Sequence, residues 1–220
     1  LHVVSSLTAP YTSLHYTYSD GRIHRKGKGF MGFITRTVTD SLTGRVITQT
    51  NSMDSTNYFL KPYCTTVSHT NGQTVSRTDV TTAKKIISAK RFWPYVTRRI
   101  SKDFLTTLSD TTWNEYDNFG NLTRRRTATG SFETESNCRY AAPSGAEYPY
   151  LVRHSMSRSR LGTEWSDSVW TDYKYDGKGR LVHEVGDSLS TTYGGTMLSS
   201  HYKYDVYGHV IRTVTKDSLQ

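Results

Sequence analysis

A short pattern recurs along this chain and constrains what it can fold into. Tyr116-Asp117-Asn118-Phe119-Gly120-Asn121-Leu122, Tyr175-Asp176-Gly177-Lys178-Gly179-Arg180-Leu181 and Tyr204-Asp205-Val206-Tyr207-Gly208-His209-Val210 share the form Tyr-Asp-x-x-Gly-(Asn/Arg/His)-(Leu/Val). Spacings of 59 and 29 residues leave room for one degenerate unit between the first two. A weaker relative sits at Tyr16-Thr17-Tyr18-Ser19-Asp20-Gly21-Arg22-Ile23. Self-similarity of this kind marks an architecture built from repeated supersecondary units.

The chemistry of the unit is that of a hairpin. Tyr173 and Tyr175 flank Lys174, and Tyr202 and Tyr204 flank Lys203, so period two places each tyrosine pair on one face of a strand. Asp follows because its carboxylate accepts backbone N–H bonds inside a turn. Gly follows three positions later, where the chain needs positive φ. Alternation then resumes, with Leu181, His183 and Val185 on one face and Val210, Arg212 and Val214 in the other copy. A lone hairpin is marginal in water, so these units must add to one another in a sheet.

Two further hairpins are expected. Val38 to Ile47 carries β-formers around Asp40-Ser41-Leu42-Thr43-Gly44, and Val67 to Val75 carries Asn71-Gly72, a strong hairpin signal. Arg98 to Leu108 admits a short helix, but its β-rich flanks and Pro94 favour strands across Ile86 to Leu108. Residues 141–149 read as a loop. Composition agrees: 33 Thr, 16 Tyr and only 7 Ala argue for strands over helices. The aromatics argue against disorder, and no apolar run approaches the roughly 20 residues of a membrane-spanning helix. The expected fold is all-β: antiparallel hairpins in an extended curved sheet, one region over 1–220, with Gly-Phe block hairpins at 16–50 and repeats at 110–215. Its low apolar content, 35%, fits a sheet with two wetted faces.

Leu1 in place of Met, and an end just after a strand-like run at Thr215 to Gln220, read as a piece cut from a longer polypeptide; a mature chain after signal removal is the alternative. Cys64 and Cys138 form no CxxC, and their number leaves one disulfide or two thiols open.

The Tyr-Asp-x-x-Gly units resemble the YD repeats of rearrangement-hotspot (Rhs) proteins. The stretch His24-Arg25-Lys26-Gly27-Lys28-Gly29-Phe30-Met31-Gly32-Phe33 is similar to the Gly-Arg-Gly-Phe-x-Gly-Phe block of insecticidal toxin complex B components and virulence-plasmid B proteins, with Thr39-Asp40 and Thr43-Gly44-Arg45 as counterparts shortly after. The resemblance runs from about Tyr16 to Val214. It implies strands that spiral into a hollow shell around a toxin or effector segment; teneurin-like extracellular proteins carry a related shell. A chain of 220 residues would be a strip of such a wall. It departs from the family in Lys28 for the usual Arg, in having few intact repeats, and in lacking the C-terminal self-cleavage region, so no protease role carries over.

Other motifs have plainer readings. Gly27-Lys28-Gly29-Phe30-Met31-Gly32 matches a dinucleotide-binding pattern by letter, but Phe33 to Thr39 reads as a strand where a helix is needed, so tight turns or a bulge explain the glycines. The basic clusters His24-Arg25-Lys26, Lys84-Lys85, Arg98-Arg99 and Arg124-Arg125-Arg126 alternate between faces when in strands. The net charge of +9 is therefore expected to spread over both faces. Lys90-Arg91-Phe92-Trp93 interleaves cations and aromatics as single-strand binders do, yet cation–π contacts on a solvated sheet account for it, and nucleic acid is disfavoured as a partner. His183-Glu184 with Asp187 lacks metal-ligand spacing. Trp113, Trp165 and Trp170 form either a sugar-stacking surface or, the favoured reading, cross-strand packing. Asn121-Leu122-Thr123 fits the glycosylation sequon.

The functional expectation is a structural wall module of a larger secreted or cell-surface protein, not an enzyme, with no cofactor, metal or membrane span. Its partners would be the rest of its own polypeptide or an enclosed toxin or effector. A module binding carbohydrate or a cell surface is the competing reading.

Overall fold

The computed structural model describes residues 2–27, 29–88, 91–141, 150–187 and 197–217. Residues 142–149 of the loop expected at 141–149, Lys28, Lys90 and the Asp187 side chain lie outside the described residues. Sixteen strands and no helix appear among those described, as the all-β expectation requires. Every pairing is antiparallel. The chain forms two compact units, Leu1–Thr112 and Trp113–Gln220.

The first unit holds β1 (Ser6–Ala9), β2 (Thr12–His24), β3 (Gly29–Asp40), β4 (Arg45–Asp54), β5 (Phe59–His69), β6 (Thr74–Ser88) and β7 (Arg91–Asp103), side by side in chain order. Its threonines stack across strands. Thr17, Thr37, Thr48 and Thr66 are successive register partners on β2 to β5, and the Thr37 and Thr48 hydroxyls lie 3.3 Å apart. Tyr16, Val38, Ile47 and Val67 form a neighbouring apolar row. Such cross-strand pairs are the unit of sheet stabilisation, about 0.2–1 kcal/mol each. Part of the Thr excess thus lies in an aligned cross-strand row. Arg98 to Asp103 belongs to β7, so the strand reading of that stretch holds over these residues.

β8 (Ser109–Tyr116) crosses the boundary between the units. The second unit continues with β9 (Leu122–Thr129), β10 (Phe132–Tyr140), β11 (Val152–Leu161), the two-residue β12 (Glu164–Trp165), β13 (Val169–Tyr175), β14 (Leu181–Asp187), β15 (Met197–Tyr204) and β16 (Val210–Asp217). These again pair in chain order, except that β12 pairs only β11, which leaves β11 beside β13.

Neither unit is organised around a deep apolar core. Among the described residues only Ala141, Glu133 and Glu135 are buried, at 5%, 5% and 3% exposure. Backbone ladders, turns and side-chain rows on two wetted faces carry the stability instead.

Candidate functional site

The three repeat turns have one geometry. In each, the Asp N–H donates to the carbonyl four residues on: Asp117 to Asn121 at 3.0 Å, Asp176 to Arg180 at 2.9 Å, Asp205 to His209 at 3.0 Å. The Gly N–H donates back to the Asp carbonyl, with φ of 93°, 77° and 93° at Gly120, Gly179 and Gly208. Each Asp Oδ1 accepts two backbone N–H bonds, from Phe119 and Asn121, from Lys178 and Arg180, and from Tyr207 and His209, all at 2.8–2.9 Å. The residue after Gly is variable in type but constant in role. Asn121 Nδ2, Arg180 Nε and His209 Nδ1 each meet Oδ2 of the repeat aspartate, at 2.8, 2.7 and 3.0 Å. Backbone N–H bonds from Arg180 and His209 are the leading reason that the Asp176 and Asp205 carboxyls sit below their ordinary range. The sequon amide of Asn121 is therefore engaged inside the turn.

A tyrosine closes the strand end at each side of the pattern. Tyr204 Oη donates to the Leu181 carbonyl at 2.6 Å, beyond the last backbone pair of β14 and β15. Tyr140 Oη does the same to Leu122 at 2.9 Å. Leu122 and Leu181 hold the same place in the repeat, and the register shifts at Arg139/Tyr140 as at Lys203/Tyr204 and Lys174/Tyr175. Tyr140 thus holds the place of a repeat tyrosine, with Ala141 where the aspartate would stand. Tyr116 ends β8 and Tyr175 ends β13, each directly before its turn.

The first unit turns its chain differently. Oδ1 of Asp40, Asp54 and Asp103 also accepts backbone N–H bonds, but left-handed residues four positions later complete these turns: Gly44, Tyr58 and Thr107, at φ 68°, 54° and 60°. The Gly-Phe block forms an aromatic cluster. Phe33 lies 4.7 Å from Tyr18 and 5.1 Å from Phe30, and both Phe rings cover Gly21. Gly27, Gly29 and Gly32 have φ of 105°, 70° and 118°, and a side chain at Gly32 would press on Leu60. Gly29 and Gly32 lie on strand β3, so the block lacks the helix of a dinucleotide cradle.

Across β9, β10, β11 and β13 of the second unit, one face gathers most of the charge and the other carries mainly hydroxyls. Charge lies on both faces, as expected, but unevenly, since Arg125 and Glu184 lie on the hydroxyl side. Registers align Arg124 and Arg126 of β9, Glu133 and Glu135 of β10, Arg158 and Arg160 of β11, and Trp170 and Asp172 of β13 on one side; Thr134, Ser136, Ser157, Ser159, Thr171 and Tyr173 occupy the other. Buried Glu133 is held by Arg126, with Nη2 at 2.9 Å, and by Arg160 at 2.6 Å. Buried Glu135 is held by Arg124 at 2.5 Å and Arg158 at 2.6 Å. Arg158 and Arg160 both lie over the Trp165 ring, at 4.4 and 4.7 Å, and Arg126 lies 5.0 Å from that of Trp113. Arg125 points away and bonds Asn114, so the arginine run does divide between faces. The Arg126 bond is foremost in holding the Glu133 carboxyl below its usual range.

Similarity to known proteins lies in the fold. The chain is similar to a chain of the TcdB2-TccC3-Cdc42 crystal structure, with a TM-score of 0.61 at 8% identity, over 94% of this chain and 17% of that one. At this level of identity the likeness is one of β-fold alone. No protein-family model matches the sequence, and no curated protein matches it.

The remaining candidate residues do not converge on a reaction centre. His183 stacks on its cross-strand partner His201, with ring centroids 4.2 Å apart, and its Nε2 lies 2.9 Å from Ser199 Oγ. Glu184 faces the other way and accepts the Tyr202 hydroxyl at 2.6 Å. Alternation thus separates His183 from Glu184. Burial raises the Cys138 thiol above its ordinary value, away from thiolate reactivity. Cys64 and Cys138 are both free. Among the described residues no group of three or more His, Cys, Asp or Glu is placed to hold a metal ion. Arg91, Phe92, Trp93 and Tyr95 lie along β7, where Phe92 packs on Phe59 at 4.8 Å and Trp93 on Tyr95 at 4.7 Å. Sequence reasoning missed Glu133 and Glu135. The signal was an Arg-x-Arg, Glu-x-Glu, Arg-x-Arg series at period two in three successive strands.

Proposed function

We propose that this chain is a wall module: a YD-repeat sheet of a larger secreted or cell-surface Rhs-type protein, forming part of a shell that encloses or presents a toxin or effector. It performs no chemistry of its own. The observation that carries this reading is the clamp repeated at Asp117, Asp176 and Asp205, which closes each hairpin in the same way in a sheet paired in chain order, with no deep apolar core among the described residues. A sheet of this kind gains stability from its neighbours and leaves two faces for contact with other parts of the polypeptide. The similarity to a toxin-complex structure supports the same reading. The partners follow from it: the rest of the parent polypeptide, and the segment it encloses.

The test is limited proteolysis of the full-length polypeptide. The effector segment is expected to resist protease in the wild type and to become cleavable when Asp117, Asp176 and Asp205 are all changed to Ala. An effector segment cut equally fast in both would overturn the enclosure.

A further inference from the structure

The three tryptophans singled out in the second unit are not equivalent, and the difference points to a ligand. The Trp165 ring is covered by Arg158 and Arg160, and the Trp113 ring carries Arg126. Among the described residues no guanidinium lies over Trp170. It lies directly across from Met156, and one step along the same face His154 lies across from Asp172. The His154 Nδ1 to Asp172 Oδ1 distance is 2.7 Å, and the His154 ring lies nearly parallel to the Trp170 ring, at 17° and 6.3 Å. Together with Ser168 these four side chains line one shallow recess.

The recess pairs an apolar floor with a polar rim. The Trp170 ring and the Met156 thioether offer a flat, polarisable surface. Asp172 is half exposed and directs one oxygen at His154, which leaves its other oxygen to accept hydroxyl protons; the outer nitrogen of His154 and the Ser168 hydroxyl add further polar contacts. A pyranose ring has the matching chemistry, with one face of C–H groups and vicinal hydroxyls on its rim. We propose that Trp170, Met156, His154, Asp172 and Ser168 form a binding site for the terminal ring of a neutral glycoside. A planar heterocycle would match the floor equally well, but Asp172, His154 and Ser168 surround it with several hydrogen-bonding groups, which the vicinal hydroxyls of a saccharide can answer. The site does not depend on the wall reading, since it is complete within β11, β13 and the residues just before β13.

The experiment is saturation-transfer NMR on the 220-residue chain, after circular dichroism has established its strand content, with methyl β-galactopyranoside and methyl α-mannopyranoside as probes. A one-aromatic, open site predicts dissociation constants of about 1 mM or weaker. Saturation of the C–H face of at least one glycoside is expected in the wild type, with a loss of tenfold or more in Trp170→Ala. Asp172→Asn should weaken binding severalfold, and Trp165→Ala should leave it unchanged. Absence of transfer to both glycosides, or equal transfer in the wild type and Trp170→Ala, would overturn the site.

Discussion

Asp117, Asp176 and Asp205 each gather in one carboxylate the donors that would otherwise face water at a hairpin tip. Two backbone N–H groups meet one oxygen, and the residue after glycine meets the other. Net values of about 1 kcal/mol per hydrogen bond, reduced by exposure, make Asp117→Ala a loss of roughly 1–2 kcal/mol, read as a lowered denaturant midpoint with unchanged slope. Asp117→Asn should lose less, since its Oδ1 still accepts. An unshifted midpoint in Asp117→Ala would contradict the clamp. This chemistry is legible in sequence because each partner lies within four residues. The turns at Asp54 and Asp103 escaped notice because Tyr58 and Thr107, not glycine, occupy their left-handed positions. The Glu133 and Glu135 network escaped for a different reason: the arginines that bury them lie up to 27 positions away, and only register brings them together.

At the scale of elements, alternation sorts chemistry between faces, and β14 with β15 shows the consequence. His183 and His201 form one rung, with Lys174 across from His183 on the other side. Burial, then His201, then Lys174 lower the His183 pKa, and Glu184 on the opposite face only partly offsets them. The sign follows. The unfolded chain protonates this histidine more readily than the folded one, so its contribution is complete above about pH 6.5 and is lost as pH falls through the lower folded value. The thermal midpoint is expected to fall between pH 7 and pH 5, and His183→Gln should flatten that fall. A wild-type midpoint that rises on acidification, or a His183→Gln profile that overlays the wild type, would contradict the rung. The hairpins themselves were legible, but the register shifts at Lys174/Tyr175 and Lys203/Tyr204, which interrupt strict alternation, were not. The repeat place at Tyr140 was legible only by spacing, because Ala141 stands where the aspartate would; the bond from Tyr140 to Leu122 reveals it.

At the scale of the molecule, composition and burial agree. A chain with 33 Thr, 16 Tyr and 7 Ala builds rows and turns and leaves Ala141, Glu133 and Glu135 as the buried residues among those described. Large apolar side chains stay at the surface, including Val206 and Tyr207 at 84% exposure in the third repeat turn. Neither compact unit is built around a deep apolar core, and this chain spans 17% of the chain it is similar to. The fold class was therefore open to sequence reasoning, whereas the concentration of charge on one face of the second unit was not. The central claim is that the chain is wall. Electron cryomicroscopy of the full-length polypeptide tests it most directly. Residues 1–220 are expected to appear as consecutive strands of a larger shell, with further strands beside them and density enclosed within; a separate domain tethered outside any shell, or a polypeptide with no enclosed volume, would contradict the wall role.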